Sequence, residues 1–105
     1  MPKMKELYQN LESIQKTSVL LDVRTAEEFA AGHIEGSVNI SHDLLGPQHL
    51  EQLKNAPHLH VYCRRGGRAG YACEVLQSMG INNFTGYFED GMEVWMDSGF
   101  PVQKS

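Results

Sequence analysis

His58-Leu59-His60-Val61-Tyr62-Cys63-Arg64-Arg65-Gly66-Gly67-Arg68-Ala69 is the stretch on which the fold turns. Its first five residues have the apolar and β-branched character of a short buried strand, and they run directly into a cysteine. Beyond the arginine- and glycine-rich loop, Ala69, Ala72, Cys73, Leu76 and Met79 recur at helical spacing, which predicts a helix with one buried face stopped by Gly80. A strand that passes through a tight loop into a helix is half of a βαβ unit. The loop then lies beyond the carboxyl end of the strand, where open α/β sheets bind their ligands.

Working outward, the same alternation repeats. Met4, Leu7, Tyr8, Leu11 and Ile14 predict an amphipathic helix over residues 3–16. Val19-Leu20-Leu21-Asp22-Val23 reads as a buried strand, and Thr25-Ala26-Glu27-Glu28 has the form of a capping box opening a helix that stops at Gly32. Ser37-Val38-Asn39-Ile40 is a second strand, and Pro47 to Asn55 a helix with Pro47 in its first turn. Phe84 to Phe88 reads as a strand, followed by a last helix around Met92, Val94, Trp95 and Met96 that ends at Gly99 and Pro101. Strands alternating with helices over short connections predict an α/β fold, with a mainly parallel central sheet flanked by helices on both faces.

The chain of 105 residues is of a size for a single domain spanning residues 1–105. Its apolar runs are far shorter than the roughly 20 residues of a membrane span, and the basic start Met1-Pro2-Lys3-Met4-Lys5 has no apolar segment of a signal peptide behind it. A cytoplasmic location with no membrane association is the expectation, and there the two cysteines are reduced thiols. The net charge of −4 argues against a nucleic-acid-binding surface. Yet three of the nine basic residues, Arg64, Arg65 and Arg68, fall within five positions. An acidic protein that concentrates positive charge in one loop is arranging an anion site. The plain alternative is a solvated basic loop.

Three physical effects converge on Cys63. The positive end of the following helix favours an anion. Arg64, Arg65 and Arg68 add full charges, and a thiol so placed is favoured as the thiolate, the form that acts as nucleophile. Gly66 and Gly67 permit conformations in which consecutive amides turn inward as a nest around the sulfur.

These residues resemble the single-domain rhodaneses, the sulfurtransferases related to thiosulfate sulfurtransferase. Leu21-Asp22-Val23-Arg24, Glu28-Phe29 and Gly32-His33-Ile34-Glu35-Gly36-Ser37-Val38-Asn39-Ile40 are similar to that family's N-terminal signature. Cys63-Arg64-Arg65-Gly66-Gly67-Arg68-Ala69 resembles its active-site loop, and Trp95 with Gly99-Phe100-Pro101-Val102 its closing motif. The six-residue loop from Cys63 to Arg68 resembles the sulfur-transferring members, whereas the related dual-specificity phosphatases have a loop one residue longer. Two positions depart from the pattern. Asp90-Gly91 stands where the family usually has Gly-Gly, preceded by Glu89, and Ser37 stands for a common Ala.

The resemblance implies a sulfurtransferase. Cys63 takes the outer sulfur of a small anionic donor such as thiosulfate, becomes a persulfide, and passes the sulfur to cyanide or to a thiol or protein acceptor. Arg64 and Arg65 attract the donor, Gly66 and Gly67 shape the loop, and Arg68 braces it. No metal, organic cofactor or nucleic acid is called for, and a monomer is expected. A second reading keeps the fold as a sulfur carrier or regulatory module acting with a protein partner. A third, a phosphatase or arsenate-type reductase, is disfavoured by the short loop.

Other residues have plainer readings. Cys73 is a buried core thiol rather than a resolving partner. His58 and His60 share one side of a strand but lack the further ligands of a metal site. His33 is a structural hydrogen-bonding residue. Asp22, Arg24 and Glu28 form an internal charge network, with Asp22 a possible border of the site. Glu89 and Asp90 lie at the rim, where they either oppose an anion or pair with a loop arginine. Trp95, Met92 and Met96 pack in the core.

Overall fold

The computed structural model describes residues 1–104. Four strands, β1 (Val19–Asp22), β2 (Val38–Asn39), β3 (Leu59–Tyr62) and β4 (Phe84–Gly86), form one sheet in the order β2-β1-β3-β4, every pair parallel. β1 and β3, the two central strands, are joined over four residue pairs from Val19–Leu59 to Asp22–Tyr62. The parallel α/β sheet expected from the sequence is therefore present.

Alternation along the strands sends side chains to two cores. Leu21, Val23, Leu59, Val61 and Cys63 enter one, covered by α4 (Leu50–Leu53) and α5 (Gly67–Ser78) through Leu53, Ala69, Ala72, Cys73 and Leu76. Leu20 and Tyr62 enter the other, with Met4 and Leu7 of α1 (Met4–Gln9) and Met92 and Trp95 of α6 (Met92–Asp97). Leu11 and Ile14 of α2 (Leu11–Thr17) pack at its edge. Helices thus cover both faces. Because Cys63 continues the odd-numbered face of β3, its sulfur emerges beneath the start of α5 rather than on the far side of the sheet. α3 (Ala26–Ala31) opens on the expected capping box, with Thr25 Oγ1 accepting from the Glu28 amide.

Several boundaries differ from the sequence expectation. The helix foreseen over 3–16 is two helices, because Asn10 leaves the helical region at φ −112°, ψ 14°. Its side-chain amide donates to the Glu6 carbonyl at 2.9 Å, ending α1 while its own carbonyl receives the first bond of α2. Tyr8, expected on the buried face, is 40% exposed and stacks on Phe100 at 4.0 Å. The stretch from Pro47 begins as a 3₁₀ turn before α4. β4 stops at Gly86 because Phe88 folds back, its ring occupying the space that a side chain at 86 would need. Met92 is buried as expected, but Met96 is 39% exposed. Among the described residues no helix is long and apolar enough to cross a membrane.

Candidate active site

Cys63 stands at the end of β3, and the loop that follows wraps around its sulfur. The amide of Gly66 donates to Sγ at 3.0 Å and that of Ala69 at 3.3 Å. Two N–H groups are thus aimed at one buried sulfur, placed to donate to negative charge that develops on it during reaction. A cavity of about 300 Å³ opens above it, lined by Cys63, Arg64, Arg65, Gly67 and Arg68.

The cradle differs in detail from two consecutive glycine amides. Gly66 alone adopts the left-handed conformation, at φ +119°, and a Cβ there would lie 2.0 Å from the Phe88 carbonyl oxygen. Gly67 is the first residue of α5, and a Cβ on it would meet nothing within 4 Å. The turn at Gly66 and the first turn of α5 supply the donors, not a Gly66-Gly67 nest.

The loop is held from outside by α6. The amides of Met92 and Glu93, at the start of that helix, donate to the carbonyls of Cys63 at 2.8 Å and Arg64 at 3.1 Å. This approach is so close that a Cβ on Gly91 would sit 2.2 Å from the Cys63 oxygen and 2.6 Å from Arg64 backbone atoms. The one glycine that this chain keeps before its last helix is the one that the contact requires.

All three loop arginines have carboxylate partners. Arg68 donates to both oxygens of Glu28, at 2.6 and 3.0 Å. That pairing, with the Thr25 bonds, holds the Glu28 carboxyl at about 2, far below its usual 4.5. Arg68 thereby links the end of the loop to the first turn of α3. Arg65 makes a two-pronged contact with Glu93, at 3.0 to 3.2 Å, and Arg64 reaches the same carboxylate at 3.2 Å. The bond from Arg65 keeps the Glu93 carboxyl below the ordinary carboxylate range.

Glu93, rather than the expected rim acids Glu89 and Asp90, is the acid that meets Arg64 and Arg65. Asp90 Oδ1 accepts the Met4 amide at 3.1 Å, and among the described residues neither Glu89 nor Asp90 pairs with a loop arginine. The signal was present in the last helix. Once α6 is docked end-on to the loop, the residue facing the arginines is in its first turn, not before it. Glu28 was likewise assigned to the wrong partner. Asp22 and Arg24 form a closed buried pair, at 2.7 Å from Nη2 to Oδ2, with Arg24 also donating to the Gly32 carbonyl, while Glu28 turns to Arg68.

The remaining candidates stand apart from the loop. His33 is buried, hydrogen-bonded through Nδ1 to the Phe29 carbonyl at 2.8 Å and stacked on the Phe29 ring. His58 and His60 pair with the hydroxyls of Thr85 and Tyr87 at 2.7 and 2.9 Å. Cys73 lies in the core under α5, and burial pushes its thiol up to about 12.

Fold and site together define a class: parallel α/β domains that deliver a cysteine from a central strand into a loop of inward amides. The chain belongs to the rhodanese family, with the Rhodanese-like domain matching residues 3–98. It is 36% identical over 95 residues to Protein HIGH ARSENIC CONTENT 1, mitochondrial, of Arabidopsis thaliana, covering 80% of this chain and 56% of that protein. It is 33% identical over 96 residues to Thiosulfate sulfurtransferase 16, chloroplastic, of the same plant, covering 79% of this chain and 78% of that protein. The chain spans 56% of the length of the first of these relatives and 61% of a third, Rhodanese-like domain-containing protein 17 of Arabidopsis thaliana. The rhodanese-like domain of an Anabaena protein shares the fold at a TM-score of 0.85 and 22% identity, over 100% of this chain and 79% of that one. Family and relatives support sulfur transfer as the general class of chemistry.

Proposed function

We propose that this protein is a sulfurtransferase that moves sulfane sulfur through a persulfide on Cys63. One observation carries the reading: a buried sulfur that receives two backbone amides at the floor of an arginine-lined cavity. The Cys63 thiolate attacks the outer sulfur of thiosulfate or a similar donor. The donor's S–S bond breaks, and sulfite leaves with the electron pair. A thiophilic acceptor, cyanide or a thiolate, then attacks the outer sulfur of the persulfide, and Cys63 departs as the thiolate. Splitting the transfer at a covalent intermediate gives ping-pong kinetics. The loop amides and α5 stabilise negative charge on either sulfur, and Arg68 keeps the loop in the shape that aims them.

The test is thiocyanate formation from thiosulfate and cyanide, with both substrates varied. Parallel double-reciprocal lines and complete loss in Cys63→Ser are expected. Turnover only with a protein donor would move the assignment to the carrier module. Arsenate reduction or phenyl phosphate hydrolysis lost in Cys63→Ser, without sulfur transfer, would overturn it.

A further inference from the structure

Charge at the mouth of the Cys63 cavity is balanced by the protein itself. Arg68 is taken by Glu28, and Arg64 and Arg65 share Glu93. Three guanidinium groups thus face two carboxylates, and the thiolate through which Cys63 reacts brings the third negative charge. A dianion arriving at this mouth meets amide dipoles but no net positive charge, so it loses the steering that an uncompensated arginine cluster would give.

A second hollow of about 410 Å³ adjoins the first and shares Arg64 with it. It lies between α3 and α6, where Ala31, Met92 and Met96 give apolar contacts and Arg24, Glu28 and Asp97, with Arg64 and Glu93, make the rest of the wall charged. A space of this kind, beside a neutral mouth, suits a donor whose sulfur is attached to an organic group. Thiosulfate has nothing to place there.

We propose that Glu93 is a specificity-determining residue, which biases the site against small dianionic donors and towards organic persulfides whose substituent enters the hollow between α3 and α6. The inference rests on the sulfur-transfer reading of Cys63. The Cys63 thiolate attacks the terminal sulfur of R–S–SH, the bond between the donor's two sulfurs breaks, and R–S⁻ leaves with its electron pair. The proton stays on the transferred sulfur.

The experiment compares second-order rate constants for persulfide formation on Cys63 with thiosulfate and with hydroxyethyl persulfide, read by rapid quench and intact mass. In Glu93→Gln the thiosulfate-to-persulfide ratio should rise roughly three- to fivefold at low salt, and the gain should fade by about 1 M salt. Glu93→Asp, which keeps the charge, should stay nearer to the wild-type ratio. The unaltered protein supplies a second readout that needs no variant: its thiosulfate rate should vary little with ionic strength. An unchanged or falling ratio in Glu93→Gln, or a steep loss of wild-type thiosulfate rate with salt, overturns the role of Glu93. Absence of a Cys63 persulfide with either donor is a different result, which removes the sulfur-transfer reading as well.

Discussion

Arg68 and Glu28, forty residues apart in the chain, are joined by two hydrogen bonds that tie the end of the Cys63 loop to the first turn of α3. The same carboxylate accepts from the Thr25 amide and hydroxyl, so one side chain caps a helix and anchors the loop.

Removing only the charge separates these roles. Glu28→Gln keeps much of the capping box and loses the ion pair, and should cost about 1 kcal/mol of stability. Glu28→Ala loses both and should cost roughly twice that. Because the folded carboxyl titrates at about 2 instead of 4.5, its contribution is full above pH 4.5 and is lost as pH falls towards 2. Urea unfolding of wild type and Glu28→Gln from neutral to acid pH checks this. Equal stabilities at neutral pH would contradict it.

Two glycines beside the site should respond in opposite ways. Gly91→Ala forces a Cβ to within 2.2 Å of the Cys63 carbonyl oxygen, and backbone on both sides must move. A cost of about 3 kcal/mol or more, with collapse of sulfur transfer, is expected. Gly67→Ala meets open space in the first turn of α5 and should change stability by no more than about 0.5 kcal/mol. Thermal unfolding of both variants decides, and a tolerated Gly91→Ala would refute the docking of α6 on the loop.

His60 should make the fold sensitive to mild acid. Its burial, with the nearby charge of His58 in second place, lowers its folded pKa to about 4, from an ordinary 6.5. The neutral ring is the form that fits, so its stabilisation is present above pH 6.5 and is lost as pH falls towards 4. Wild type should lose about 1–2 kcal/mol across that window, and His60→Gln should lose much less. Identical profiles for the two proteins would remove His60 as the cause.

Much of this architecture was legible because the hydrophobic pattern and the site share one segment. The step from β3 through Cys63 to α5 is written in Val61-Tyr62-Cys63 and in the spacing of Ala69, Ala72 and Leu76, which set both the strand face and the helix face. Asn10 was harder to read, since its neighbours keep helical spacing while its side chain competes for the backbone. The partners of the arginines were not legible at all. Glu28 and Glu93 are far from the loop in sequence, and only the docking of α3 and α6 decides which acid faces which guanidinium. Gly91 was visible as a residue, but the reason for it is a carbonyl contributed by Cys63, which sequence spacing does not show.

The most direct measurement of the central claim is the intact mass of the protein after exposure to a sulfane-sulfur donor, followed by peptide mapping. One added sulfur is predicted on Cys63 and removed by cyanide, with none on Cys73, whose thiol stays protonated in the core. An unmodified Cys63 with every donor, or sulfur carried on Cys73 in its place, would contradict the account.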